Sequence, residues 1–346
     1  VFENISVASL FVVSEVVMTL EENKKWFKEA KFGMMVHFGL YSVLGGEYKD
    51  FRSGYDDTST ANAEWIRSKA KIPKDEYVKL AKVFNPIFFD AEEWVKLAKD
   101  AGMQYIVVTS KHHEGFCLFK SDVDDFNVVD ATPFGRDIIA ELAEACRKYD
   151  MKLGLYYSQE LDWNEPDSGG YLLDEPERYI DWANTWDYPD NSKKDFSKYF
   201  YKKAIPQVKE ILTKYGDLCL IWFDTPVMIP PEYSDELYNL VRELQPHCLV
   251  NTRIGNGRGD YKSMGDNEIP DKYMNDILAE TPATLNSSWG WKYFDENFKS
   301  ADEVMRLKEH LNSRGVNYLL NVGPDHLGRI PKSSADILRE VGRRSK

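Results

Sequence analysis

Cysteine is scarce: Cys117, Cys146, Cys219 and Cys248 are the only four in 346 residues. They lie roughly thirty or more residues apart, with no Cys-x-x-Cys pair and no Cys-His cluster, so neither a zinc finger nor a dithiol redox motif is signalled. Apolar neighbours, such as Leu218 and Leu220 around Cys219, predict buried free thiols. Long hydrophobic runs are missing too. Nothing approaches the roughly 20 apolar residues of a membrane-spanning helix, and the apolar opening, residues 1–17, is broken by Glu3 and Glu15 and lacks a basic lead-in. Positive charge is in deficit, with 44 Lys and Arg against 57 Asp and Glu, a formal charge of −13. Without a basic block such a chain repels nucleic acid and anionic lipid, and neither is expected as a partner. No low-complexity linker or internal repeat divides the sequence.

Aromatic residues, by contrast, are abundant at 14%, with nine Trp and twenty Tyr. Such rings suit a core, and equally a cleft for sugars, whose C–H faces stack on them. Apolar strand-like runs at 32–37, 105–109, 153–157, 218–223, 249–252 and 317–322 alternate with amphipathic stretches of helical spacing. In the stretch 90–102, Trp94, Leu97 and Ala98 share one face, Asp90 stands as N-cap and Gly102 lies just past the end. Strand, helix, strand at this spacing predicts a parallel sheet, and runs such as Tyr105-Ile-Val-Val-Thr109 are apolar enough to be buried on both faces. The length fits one (β/α)8-like TIM barrel of roughly 250 to 400 residues, regular or irregular, with long βα loops. The segment 164–197, rich in Pro, Gly, Asp and Tyr, reads as a loop over one end of the sheet, and 255–288 as a second irregular stretch.

Each predicted strand runs into polar groups at its C-terminal end. The first ends in His37, the second continues into His112-His113, and the third ends in Tyr157. The next two end in Trp222-Phe223-Asp224 and Asn251-Thr252-Arg253, and the last reaches Asn321. Polar groups at successive strand C-termini are the signature of a barrel active site, whatever its chemistry. Singly, each has a plainer explanation: His37 as a core histidine, Arg253 as a structural ion pair, Asp224 as a loop cap. His112 and His113 face opposite ways on an extended backbone, and no third His or carboxylate stands at ligand spacing, which argues against a metal.

These residues also carry a resemblance. Trp26-Phe27-Lys28-Glu29-Ala30-Lys31-Phe32-Gly33, His37-Phe38-Gly39-Leu40-Tyr41-Ser42 and Ala63-Glu64-Trp65 resemble the opening of the glycoside hydrolase family 29 α-L-fucosidases. Lys111-His112-His113-Glu114-Gly115-Phe116 is similar to the family's Lys-His-His-Asp-Gly-Phe block, with Glu114 for the usual Asp. Gly154-Leu155-Tyr156-Tyr157-Ser158, Trp222-Phe223-Asp224, Ser288-Trp289-Gly290 and Leu320-Asn321-Val322-Gly323-Pro324 continue it in order, over about residues 24–342.

The resemblance implies a glycosidase that removes terminal α-linked L-fucose from glycans or glycosides with retention, by double displacement, without cofactor or metal. Asp224 stands at the nucleophile position. His37, Glu64, Trp65, His112, His113, Tyr157, Trp222, Arg253 and Trp289 would surround the sugar. Glu268 is the preferred acid/base, by approximate position; Glu280 is the alternative, with Asp266 and Asp260 after it. The expected partner is a fucosylated oligosaccharide or glycoconjugate. Residues 1–17 are read as an N-terminal extension or added remnant, and 18–346 as the catalytic barrel, without a C-terminal β-sandwich. The sequence leaves the location open, with the cytoplasm favoured and a secreted or periplasmic location expected if a signal peptide has been removed. Two rivals stay open: a fucose-binding pseudoenzyme on the same barrel, and a metal-dependent hydrolase using His112 and His113.

Overall fold

Eight short apolar segments form parallel strands: β1 (Phe32–Val36), β2 (Tyr105–Lys111), β3 (Lys152–Tyr157), β4 (Leu220–Phe223), β5 (Leu249–Val250), β6 (Lys262–Ser263), β7 (Ala279–Thr284) and β8 (Val316–Val322). The computed structural model describes residues 18–54, 61–274 and 276–345. Each strand pairs with its successor, and β8 returns to β1. Between β5 and β6 the ladder is reduced to one parallel bridge, Asn251 to Tyr261. The fold is therefore an irregular (β/α)8 barrel with a thin seam.

Side chains alternate across each strand with a period of two. Met35, Val107, Tyr156, Leu220 and Trp222 fill the barrel interior, while Val36, Val108, Tyr157, Ile221 and Phe223 pack outward against the helices. Those helices include α1 (Leu20–Ala30), α2 (Ala91–Asp100), α3 (Ile138–Lys148), α4 (Ile205–Lys214), α5 (Pro231–Leu244), α6 (Ala301–Ser313) and α7 (Lys332–Arg344). Asp90 caps α2 on the Glu93 amide at 3.1 Å and Asp137 caps α3 on the Ala140 amide at 2.8 Å, satisfying N–H groups that the first turn leaves open. Helix α1 plugs the N-terminal mouth. Its Phe27 ring packs 4.6 Å from Tyr261, and Asn23 donates to the Cys219 and His247 carbonyls at 2.7 and 2.8 Å. All four cysteines are free and buried. Among the described residues no helix is long and apolar enough to cross a membrane.

Six strands fall where expected, and β6 and β7 fall inside the stretch read as irregular. Segment 164–197 does lie over the strand ends, where Trp182 reaches the cleft; an antiparallel bridge, Tyr171 to Tyr179, stiffens it. Residues 1–17, the expected extension, lie outside the described residues.

Candidate active site

The C-terminal ends of the strands surround a cleft of about 440 Å³, lined by groups that include His37, Glu64, Trp65, His112, Trp222, Asp224, Arg253, Asp266 and Trp289. Asp224 enters it by parity: Trp222 points inward, Phe223 outward, and the next residue inward again. Thr225 then takes a left-handed φ of 54°, a conformation that costs a residue with a Cβ about 1–3 kcal/mol, and Thr225 and Pro226 continue along the cleft wall. Two buried amides fix this stretch. Asn251 accepts from the Phe223 amide (3.0 Å) and donates to the Phe223 carbonyl (2.9 Å), replacing the ladder that two-residue β5 is too short to supply. Gln159 accepts from the Asp224 amide (3.0 Å) and donates to the Arg253 carbonyl (2.9 Å).

Arg253 is the hub. Its Nη1 donates to Asp224 Oδ1 at 3.0 Å, and its Nη2 to Asp266 Oδ1 at 2.6 Å and the Met264 carbonyl at 2.8 Å. Its Nε donates to Ser263 Oγ at 3.1 Å, and the guanidinium lies 4.7 Å from the Trp222 ring centre. The Tyr156 hydroxyl donates to Asp224 Oδ2 at 2.9 Å. Burial alone would raise the Asp224 pKa, but the Arg253 charge, aided by the hydrogen bonds from Arg253 and Tyr156, outweighs it and holds the carboxyl below the ordinary aspartate value. Asp266 goes the other way. Desolvation and the Asp224 charge push its pKa up against the pull of Arg253, although its side chain keeps 48% of its surface open.

The histidines are neutral acceptors. Asn321 Nδ2 donates to the Trp289 carbonyl at 2.8 Å, which leaves Asn321 Oδ1 to accept from His37 Nδ1 at 2.7 Å and His37 Nε2 without a proton. Burial lowers the His37 pKa to about 4. His112, stacked on Tyr156 at 5.6 Å, is pushed well below its usual range by burial and by His113. Ser158 Oγ donates to the Leu161 carbonyl and so accepts from His113 Nδ1 at 2.6 Å, which leaves His113 Nε2 3.7 Å from Asp224 Oδ2. Glu64 accepts from the Gly290 amide at 2.8 Å through Oε2, while its buried Oε1 has no partner; burial raises its pKa to about 7. Trp65 stacks on Trp182 at 4.6 Å, and Trp289 lies 5.1 Å from His37. A pocket of aromatic walls, neutral imidazole acceptors and one carboxylate with an unused oxygen suits a polyhydroxylated ring with one apolar edge.

The comparisons with known proteins agree with this chemistry. Residues 13–344 match the family described as Alpha-L-fucosidase. The chain belongs to the α-L-fucosidase family. It is 30% identical over 333 residues to the tissue alpha-L-fucosidase of Rattus norvegicus, covering 92% of this chain and 67% of that one. A putative alpha-L-fucosidase of Caenorhabditis elegans is also 30% identical, over 342 residues, 92% of this chain and 64% of that one. The chain thus spans about two thirds of the length of these curated relatives. The alpha-L-fucosidase AlfC of Lactobacillus casei, solved in complex with its α-L-fucose product, superposes with a TM-score of 0.86 at 51% identity, covering 93% of this chain and 98% of that one.

Within this α-L-fucosidase barrel, several residues expected at the site stand elsewhere. Tyr157 faces the helices, where its hydroxyl donates to Gln207 Oε1 at 2.9 Å; Tyr156, paired in register with inward Trp222, points into the barrel instead and reaches Asp224 from beneath the cleft. His113 is fully buried behind Asp224 and Trp65 and does not line the cleft. Glu268 closes a turn on its own loop: its Oε2 accepts from the Gly265 amide at 2.7 Å, which draws the carboxylate away from the cleft that Asp266 enters. Glu280 lies beneath the floor, accepting from Tyr105 at 2.6 Å and Trp222 Nε1 at 2.9 Å, and burial raises its pKa to about 7. Asp260 sits outside at the seam, accepting from Tyr238 and the Val250 amide at 2.9 and 2.8 Å. Glu114 braces the histidine block, accepting from the Tyr77 hydroxyl and, at 3.1 Å, from the Leu40 amide.

Tyr156, Gln159 and Trp182 escaped the sequence reading. The register of β3 against β4 points to Tyr156, and Trp182 is one of several aromatics in the loop at 164–197.

Proposed function

We propose that this chain is a retaining exo-α-L-fucosidase in which Asp224 is the nucleophile and Asp266 the acid/base. The observation that carries the reading is the shared guanidinium: Arg253 holds one oxygen of each carboxyl, and the two environments shift the two pKa values in opposite directions. An ionised Asp224 attacks the anomeric carbon as the glycosidic bond breaks, and Asp266 gives its proton to the departing oxygen. The carbon is then bonded to Asp224 Oδ. In the second step Asp266, now a carboxylate, takes a proton from water as the water oxygen attacks the same carbon and releases Asp224, restoring the α-anomer. His37 Nε2 and the unpaired Glu64 oxygen are acceptors for sugar hydroxyls, and Trp222 and Trp289 offer an apolar wall to a 6-deoxy methyl group.

The test is hydrolysis of 4-nitrophenyl α-L-fucoside, with the first anomer formed read by NMR. The α-anomer should appear first and mutarotate later. Asp224→Gly should lose several orders of magnitude in turnover, and azide should restore it with β-configured fucosyl azide as product. Near-normal turnover by Asp224→Gly would remove the assignment.

A further inference from the structure

A second hollow, of about 560 Å³, lies beside the cleft, and Trp182 belongs to the lining of both. Its remaining wall is formed by Ser68, Lys69 and Lys71 from the segment after Trp65 and by Tyr179, Ile180 and Asp181 from the loop before Trp182. Resting on the fucosidase reading above, we propose that this hollow is a second saccharide subsite. It would take a neutral sugar of the departing part of a fucosylated oligosaccharide, beyond the fucose held in the cleft.

Three observations converge on a sugar. Tyr179 keeps 48% of its surface exposed although the antiparallel bridge to Tyr171 holds its backbone, so a rigid aromatic face is offered to solvent. Aromatic faces that cover no protein suit ligand C–H surfaces. Ser68 is 1% exposed, lines the hollow, and its hydroxyl has no hydrogen-bond partner among the described residues. A buried hydroxyl left unpaired costs stability, and a ligand hydroxyl would satisfy it. The volume is that of a ligand pocket, about 300 to 1,000 Å³.

Charge points to a neutral occupant. The Lys71 ammonium is engaged, donating to the Asp181 carbonyl at 3.0 Å and lying 4.8 Å from the Trp186 ring centre. The carboxylate of Asp181 offsets Lys69 on the same rim. The lining carries two ammonium groups against one carboxylate, a surplus of one charge, and the Lys71 ammonium is held against the Asp181 carbonyl and the Trp186 ring, so no cationic cluster is left to hold an acidic sugar. The stacked pair Trp65 and Trp182 separates the two spaces, with Trp65 lining only the first. A glycan anchored by its fucose therefore has an aromatic partition to bend around and a polar hollow beyond it.

The experiment compares two substrates on wild type, Tyr179→Ala and Lys69→Ala, all at concentrations well below KM. Both positions are exposed and outside the cleft, so folding and the chemistry at Asp224 should stay intact. One substrate is 4-nitrophenyl α-L-fucoside, which fills only the cleft; the other is a neutral fucosylated oligosaccharide of four or more sugars. For Tyr179→Ala, kcat/KM on the oligosaccharide should fall by about three- to tenfold, the worth of one aromatic contact, with the aryl fucoside unaffected. The defucosylated oligosaccharide should also inhibit the wild type more strongly than Tyr179→Ala. Equal losses on both substrates, or no loss on either, would overturn the subsite while leaving the fucosidase reading in place. Failure of wild type to cleave either substrate would overturn both.

Discussion

Replacing Asp266 by Asn separates the acid/base proposal from its competitors. Asn has nearly the same shape, and Asp266 gives up a single ion pair, the 2.6 Å bond from Arg253, with a side chain that is 48% exposed. An exposed pair contributes about 0–1 kcal/mol, so the melting temperature should move by less than about 4 °C. Arg253 keeps Asp224, the Met264 carbonyl and Ser263 Oγ. The activity loss should be far larger, because general acid catalysis supplies about 10²–10⁴-fold. It should depend on the leaving group. A fucosylated sugar, whose departing oxygen needs a proton, should lose the full factor, whereas 4-nitrophenol leaves unaided and its first step should be nearly spared. Azide should then accelerate breakdown of the fucosyl-enzyme and give the α-configured azide, since the group that activates water is missing. The alkaline limb of kcat/KM, which reports ionisation of Asp266 from its raised pKa, should vanish. The acid limb should stay in place, because Asp266, with its raised pKa, is already protonated and as uncharged as Asn where Asp224 titrates. Finding the leaving-group pattern in Glu268→Gln or Glu280→Gln, and not in Asp266→Asn, would refute the reasoning.

Tyr156→Phe removes a hydrogen bond to an ionised carboxylate, worth about 1.5–3 kcal/mol, so kcat/KM should fall at least about tenfold and the acid limb move up as Asp224 becomes harder to ionise. Tyr157→Phe should leave kinetics alone and show only in urea unfolding, by about 0.5–1.5 kcal/mol. Gln159→Leu breaks the link between the Asp224 amide and the Arg253 carbonyl; kcat should fall with little change in KM, and a parallel rise in KM would argue against a positioning role. Burial raises the pKa of Glu64, Glu160 and Glu280 to about 7 and of Glu114 to about 8, each from 4.5. A carboxyl with a raised folded pKa binds more protons folded than unfolded, so its contribution is fully present below 4.5 and lost as pH rises through the folded value. Thermal unfolding monitored by circular dichroism should give a higher melting temperature at pH 5.5 than at pH 8, and Glu280→Gln should reduce that difference. A rise in melting temperature toward pH 8 would contradict it.

How much of the barrel and its site was legible in the sequence depended on periodicity. Strands buried on both faces are continuous apolar runs, which announces β1 to β5 and β8 but conceals their phase. Tyr156 and Tyr157 are equally apolar, and only the register against Trp222 shows which one points into the barrel toward Asp224. Strand β7 was hidden by Pro282, a residue that argues against an inner strand. Its carbonyl accepts from the Asn267 amide at 2.9 Å, so its nitrogen points to the same side, where β6 has already ended and no ladder donor is needed. Glu280 in the same strand stands as the alternative acid/base through its resemblance to a family glutamate shortly before Ser288-Trp289-Gly290; the two donors that hold it beneath the floor, Tyr105 and Trp222, lie 175 and 58 residues away in sequence. Asp266 and Glu268 are nearly alike in sequence, and the turn that closes Glu268 onto Gly265 separates them.

The thin seam between β5 and β6 gives the two carboxyls unequal mechanical footing. Asp224 projects from β4, tied by full ladders to β3 and by Asn251 to its neighbour, whereas Asp266 hangs three residues beyond two-residue β6. Beyond the Asn251–Tyr261 bridge, the Asp266 loop is held to β7 instead, by the Met264 amide on the Glu280 carbonyl at 2.8 Å and the Asn267 amide on the Pro282 carbonyl at 2.9 Å. Under native conditions the amides of Thr252 and Tyr261 should exchange with deuterium faster than those of β2 and β3, by local opening rather than global unfolding. The nucleophile thus belongs to one side of the seam and the proton donor to the other, and the Arg253 guanidinium, which bonds both carboxyls, is the side chain that keeps their spacing across it.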